Sequence, residues 1–316
     1  MIPNRERQGT SLFDGVIENS LKEAKELLED LANADEADKS QAKNAAGLAD
    51  RARRAAAKAR LVFDVAVANR IGAISSRTAL TEDDLVRLNS DEKVRKLVDA
   101  IDPAHFPYLF PEVFLRVNPG FDVLVGNPPF KEATVAELDF WNLKFKGLRG
   151  MKSSEQIAEV QRLRDKFPAL GMEFEKMQTE MADLRRALAT GPFPGMGVGD
   201  PDFYKAFAWR SLSLCREGGA IGLVMPHSIW TTKGSSEWRK AFFGQTDSEI
   251  VLVVNTKSWA FENVNPGYRF SFISARKVNQ APHTEIRGTF DSKEAFKNGV
   301  LSEVPRLSSQ VLLDAD

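Results

Sequence analysis

The ten residues Phe121 to Phe130, FDVLVGNPPF, constrain this chain more than any other stretch. Val123, Leu124 and Val125 form a short apolar, mostly β-branched run that stops at Gly126, Asn127, Pro128 and Pro129. The pattern predicts a buried strand entering a rigid turn. Each proline fixes φ at about −65°, lacks an N–H and pushes the residue before it toward extended geometry. Such a loop has few conformations, accepts hydrogen bonds well and donates few. The Asn127 amide oxygen and the Pro128 carbonyl can both accept from one exocyclic amino group, and the face of Phe130 is a plane on which a heterocycle can stack. The loop is shaped for an aminated base; a strand ending in a proline-rich turn is the plainer reading.

Ahead of it, residues from about Leu12 to Gly72 have helical periodicity. Leu21, Ala24, Leu27, Leu28 and Leu31 share one face, and an Ala-rich stretch with Arg51, Arg53, Arg54, Lys58 and Arg60 follows. Two antiparallel helices are expected, with a polar break from Asn33 to Asp38, and the basic run reads as a solvated helix face in preference to a DNA site. Thr81 caps a further helix that reaches about Ala100. Phe106 to Val113 is an aromatic, proline-rich lead-in to the strand.

After the loop, Lys131 to about Thr190 is charged and helix-forming, with Lys144, Lys146, Arg149, Lys152, Arg162, Arg164 and Lys166 among fewer acids. This insertion is either a lid or DNA-facing arm, or a solvated helical hairpin. Gly195, Gly197 and Gly199 in the stretch Gly191 to Gly199 have no strand before them, so they predict a flexible connector and not a nucleotide loop. A helix follows through Phe207, Ala208, Leu212 and Leu214, ending at Gly218-Gly219. Then come a buried strand from Ala220 to Met225 halted by Pro226 and His227, a helix around Trp238, and a strand pair, Ile250 to Val254 and Phe270 to Ala275, around Phe261 and a Gly267 turn.

Composition narrows the function classes. With 316 residues, 43% hydrophobic and 28% charged, the chain suits one large or two medium globular domains. No apolar run reaches membrane length and MIPNRERQGT lacks a signal-peptide core, so a cytoplasmic protein without membrane partners is expected. A lone cysteine, Cys215, in a helix-like context excludes an internal disulfide; His105, His227 and His283 have no ligand spacing, and no metal is expected. The net charge of −1 leaves nucleic-acid contact to local patches.

Asn-Pro-Pro-Phe after a strand resembles the catalytic motif of the N6-adenine DNA methyltransferases. The Phe110 to Phe114 phrase is similar to the lead-in of large fused restriction-modification and BREX-type methyltransferases. Gly199-Asp200-Pro201-Asp202, the Gly218-Gly219 strand and His227-Ser228-Ile229-Trp230 resemble the family's later segments. The likeness covers about Phe106 to Lys277. It implies an α/β fold: the catalytic half of a Rossmann-like class I methyltransferase sheet, with a helical N-terminal segment and a helical insertion. It also implies S-adenosylmethionine as cofactor and double-stranded DNA as substrate, with Asn127, Pro128, Pro129 and Phe130 catalytic. Phe261 is the implied stacking aromatic, and His227 would lie in the substrate region.

The family's cofactor loop, Phe-x-Gly-x-Gly after a strand, and its ribose-binding acid are missing, so no cofactor-binding residue is assigned. A half sheet would leave its central strand unpaired on one side, and a cofactor-binding lobe or subunit is the expected partner. The expected divisions are 1–104, a helical scaffold; 105–280, the catalytic half, with the insertion and hinge at 131–198; and 281–316, the start of a C-terminal or target-recognition region. The activity implied is site-specific adenine N6-methylation in a restriction-modification or phage-defence system. A non-catalytic DNA-binding or scaffold subunit, and a methyltransferase acting on RNA or protein glutamine, stay open.

Overall fold

The computed structural model describes residues 12–32, 39–70, 74, 82–130, 132–191, 193–196, 198, 201–280 and 282–314. The N-terminal segment holds helices Leu12–Ala32, Lys39–Ala55 and Ala57–Arg70. The second of the two expected helices is thus interrupted at Ala56; the expected break at Asn33 to Asp38 lies outside the described residues. Leu21 and Ala24 pack on Ala52, Ala56 and Ala59, whose small side chains let the helices approach closely, while Arg51, Arg53, Arg54, Lys58 and Arg60 stay exposed. Thr81 also falls outside the described residues. The helix expected to run from it to Ala100 is two, Glu82–Ser90 and Glu92–Ile101, because Asp91 breaks out of the helix and accepts from the N–H groups of Lys93 and Val94.

The lead-in forms two single-turn helices, Phe106–Leu109 and Pro111–Phe114, each with proline in its first turn. It is tied to the scaffold by His105, whose Nε2 lies 2.8 Å from Asp64 Oδ1. Gly120 then turns the chain with φ +118°; a Cβ there would stand 2.7 Å from Leu214 O and Arg216 N, so only glycine lets the next strand start here.

Among the described residues six strands form one mixed sheet: β1 Phe121–Gly126, β2 Cys215–Pro226, β3 Thr246–Val254, β4 Arg269–Lys277, β5 His283–Phe290 and β6 Leu307–Ser308. Their order is β1-β2-β4-β3-β5-β6. β1 and β2 are parallel, as are β3 and β5, while β4 runs antiparallel to both β2 and β3. Cys215, expected in a helix, opens β2 and is buried. The helix before it, Phe203–Leu214, stops short of Gly218-Gly219 because β2 begins early, across an irregularity that pairs Phe121 with Cys215 but Val123 with Ala220. Residues 281–316, expected to begin a separate region, supply β5 and β6 to this same sheet.

Register assigns the faces, because directly paired residues point the same way. One face carries Leu124, Ile221, Leu223, Met225, Ile273 and Ile250, and helices Phe203–Leu214 and Ser236–Gln245 cover it through Tyr204, Ala208, Leu212, Trp238 and Phe242. Each such side chain contributes roughly 1.5–3 kcal/mol by leaving water. The other face is covered only toward the carboxyl ends of β2 and β3, where Phe261, Trp259 and Phe296 pack on Val251, Val253 and Phe270. Among the described residues its remainder is open, and β1 is not the buried strand predicted: Val123 is 60% and Val125 83% exposed. Among the described residues β1 pairs with β2 alone. An open cavity of about 630 Å³ on this face is lined by Val123, Ala220, Ser274 and a charge-mixed set including Asp122, Arg216, Glu249 and Arg276. No helix is long and apolar enough to cross a membrane among the described residues.

The insertion is helical as expected, with helices Glu137–Lys144, Ser153–Lys166 and Pro168–Thr190 around a core of its own, Phe140, Trp141, Leu148, Leu163 and Phe174. Its basic residues are largely neutralised in place: Arg149 pairs with Asp139 at 2.6 Å, Arg164 with Glu137 at 2.6 Å, Arg162 with Glu159 at 2.5 Å and Lys144 with Glu173 at 3.0 Å. The connector predicted to be free is docked. Met196 is 1% exposed, Trp209 Nε1 donates to Pro194 O at 3.1 Å, and Gly195 approaches Gly234 so closely that a Cβ would meet its carbonyl at 2.8 Å.

Candidate functional site

The parallel strands β1, β2 and β3 end on one edge of the sheet, and ligands of open α/β sheets bind outside such carboxyl ends. Four segments meet there: Asn127 to Phe130 after β1, Asp202 to Lys205 at the start of a helix, His227 to Thr232 after β2, and Asn255 to Tyr268 between β3 and β4.

In the first segment, Pro128 is buried and Asn127 and Pro129 are exposed. The Asn127 carboxamide makes no hydrogen bond among the described residues, which leaves its oxygen available to a ligand. Phe130 is half-buried and packs against the core of the covered face. Its ring lies nearly parallel to that of Tyr268, at 8° with centroids 6.3 Å apart.

Phe261, the aromatic expected to stack on a base, points elsewhere: it meets Phe270 edge-on at 5.0 Å within the core under the loop. Tyr268, 37% exposed, is the loop's aromatic beside Phe130. The sequence carries a faint signal for it, since Pro266-Gly267-Tyr268 is a turn that delivers an aromatic immediately before β4. Burial, and next the Asp202 carboxylate, push the Tyr268 phenol above its ordinary pKa.

Asn255 builds that loop. It is wholly buried, its Oδ1 accepts from the N–H groups of Ala260 and Phe261, and its Nδ2 donates to the carbonyls of Phe261 and Val264, all between 2.9 and 3.1 Å. Its own N–H donates to Tyr268 O at 2.9 Å. Lys257 and Ser258 take left-handed φ values of 53° and 57°, conformations that cost non-glycine residues of order 1–3 kcal/mol each and persist only where surroundings impose them.

The second segment is anchored behind Phe130. Glu132 and Asp202 form an isolated antiparallel bridge, and Asp202 holds buried Lys205 at 2.8 Å. Tyr204 Oη and Ser228 Oγ are 2.9 Å apart, joining this segment to the third; burial pushes the Tyr204 phenol up to about 12. His227, expected in the substrate region, borders a different space: a cavity of about 210 Å³ on the covered face, shared with Trp230, Arg239, Phe243 and Leu312.

No family model matches the chain, and no curated protein matches it. Solved structures do, two of them complexes with DNA. The cryoEM structure of a DrdV–DNA complex matches over 57% of this chain and 16% of its own, at 14% identity and a TM-score of 0.29. The ATP-dependent Type ISP restriction-modification enzyme LlaBIII bound to DNA matches over 72% of this chain and 12% of its own, at 12% identity and a TM-score of 0.30. The chain therefore spans less than a fifth of either, and no residue role is carried over from them.

Proposed function

We propose that this chain is the base-reading half of an adenine N6-methyltransferase acting on double-stranded DNA within a restriction-modification or phage-defence system. The observation that carries the reading is the parallel ring pair of Phe130 and Tyr268 beside a free Asn127 carboxamide at the carboxyl edge of the sheet. The order β1-β2-β4-β3, with β4 antiparallel, supports the resemblance to the catalytic half of a Rossmann-like methyltransferase sheet.

In this reading the adenine leaves the duplex at a cost of a few kcal/mol, offset by stacking worth about 1–3 kcal/mol per base. Tyr268 takes the stacking role that the resemblance gave to Phe261. Asn127 Oδ1 and the Pro128 carbonyl accept the two N6–H bonds, which favours a tetrahedral nitrogen and aims its lone pair away from the ring.

S-adenosylmethionine supplies the methyl group when bound, but the residues present do not form a cradle for it. Among the described residues β1 is the edge strand, and no further strand pairs with it on the side where a cofactor-bearing strand would lie. A lobe or subunit docking along β1 and over Val123 and Val125 would complete the enzyme. Calorimetry on this chain alone should detect no micromolar binding of S-adenosylmethionine.

The reading is tested in the organism that encodes the chain, where Asn127→Ala should erase N6-methyladenine from a defined set of genomic sites. Loss of a catalytic hydrogen bond costs on the order of a hundredfold or more. Retention of those marks sinks the proposal. Loss of a mark from RNA or from glutamine instead would transfer it to that substrate, and loss of DNA affinity with no mark at stake would make the chain a scaffold.

A further inference from the structure

We infer that Asn255 is a positioning residue that holds Tyr268 opposite Phe130, so that the base slot is formed before any base arrives; this rests on the function proposed above. The loop from Asn255 to Tyr268 has no regular ladder within it, and two of its non-glycine residues, Lys257 and Ser258, are left-handed. A loop of that kind would ordinarily sample many conformations. Here one buried carboxamide makes four hydrogen bonds inside it, with both oxygen lone pairs and both N–H groups in use. Asn255 N–H also reaches Tyr268 O across the loop's base, and Gly267 N–H returns to Asn255 O. The backbone that carries Tyr268 is therefore tied to the start of the loop, and the middle of the loop is held in place, by bonds centred on one residue. A base entering a slot already built loses little affinity to ordering the protein.

The chain's tyrosines, Tyr108, Tyr204 and Tyr268, allow a direct reading. With fluorotyrosine incorporated, the Tyr268 resonance of the full chain, identified by its loss in Tyr268→Phe, should sit at a ring-shifted position that Phe130→Leu moves. Asn255→Ala should move it to the position of a solvent-averaged tyrosine. Asn255→Asp, which keeps the shape but sets a carboxylate oxygen against the Phe261 and Val264 carbonyls, should do the same. Phe296→Leu, which loosens the core under the loop without touching the Asn255 bonds, should lower stability yet leave the resonance in place.

The second reading is quenching of 2-aminopurine in a single-stranded oligonucleotide, for which the Asn255 variants should bind at least about fivefold more weakly. A Tyr268 resonance unmoved by both Asn255 variants overturns the inference. So does a resonance that moves while 2-aminopurine binding is unchanged. If both readings respond but genomic methylation survives Asn127→Ala, the slot and its positioning residue stand and the methyl-transfer reading fails alone.

Discussion

The two faces of the central sheet are built to different rules. Leu124, Ile221, Leu223 and Ile250 lie under two helices in a continuous core, whereas Val123 and Val125, on the same strand as Leu124, meet water. A strand so rich in β-branched residues is composed for burial on both sides. Only one side is buried here. The contrast teaches that Val123 and Val125 are composed for a cover that the described residues do not supply, and contiguous exposed apolar surface beside a strand edge unpaired among those residues is the kind of surface that favours association.

The contrast is sharpest in stability. Met225→Ala, on the covered face, should cost about 2–5 kcal/mol in urea unfolding, and Val125→Ala about 0.5 kcal/mol or less. A cost above about 1 kcal/mol for Val125→Ala would break the comparison by implying that the face is already covered in solution. Within the covered part of the second face, Phe261→Ala should cost on the order of 2 kcal/mol, since the ring is half-buried, while Tyr268→Ala should cost under about 1 kcal/mol. Reversed values would make Phe261 the free ring and restore it as the stacking residue.

Tyr204→Phe removes the bond to Ser228 and should cost about 1 kcal/mol near neutral pH. Because burial raises the Tyr204 phenol to about 12, its contribution is complete below the ordinary value near 10 and is lost as pH rises through about 12. The wild-type chain should therefore lose stability across that window, and the phenylalanine variant should lose less; equal slopes would contradict the burial of the hydroxyl. Smallest of all, Arg162→Ala on the insertion should change stability by less than about 0.5 kcal/mol, as Arg162 is exposed and its partner Glu159 is a helical neighbour three residues away. A larger loss of DNA affinity than of stability in that variant would revive the insertion as a DNA-facing arm.

Much of the fold was legible because it is local. The apolar run before Pro128 and Pro129, the Gly-Gly strand and the insertion's helices each announce themselves by period or by a breaker residue. What was hidden depends on distance. Nothing near Val123 reveals that one face of β1 is open, and β5 joins the sheet beside β3 through a pairing set by long-range contact. The site divides the same way. Asn127 and Phe130 could be read from their neighbours, but that Tyr268 and not Phe261 lies beside Phe130 depends on a loop built round a buried asparagine and two left-handed non-glycine residues, conformations that leave no mark in a pattern of apolar and polar positions.

The Glu132–Asp202 bridge has a consequence for how such chains can diverge. It brings the two roots of the insertion to within a strand spacing, about 5 Å, so whatever lies between them begins and ends at one point. The entropy of closing a loop rises only with the logarithm of its length. Residues could be added to or removed from the helical hairpin with little strain reaching Phe130, and the length of this arm is free to follow its contacts with the N-terminal helices and not the geometry of the loop it interrupts.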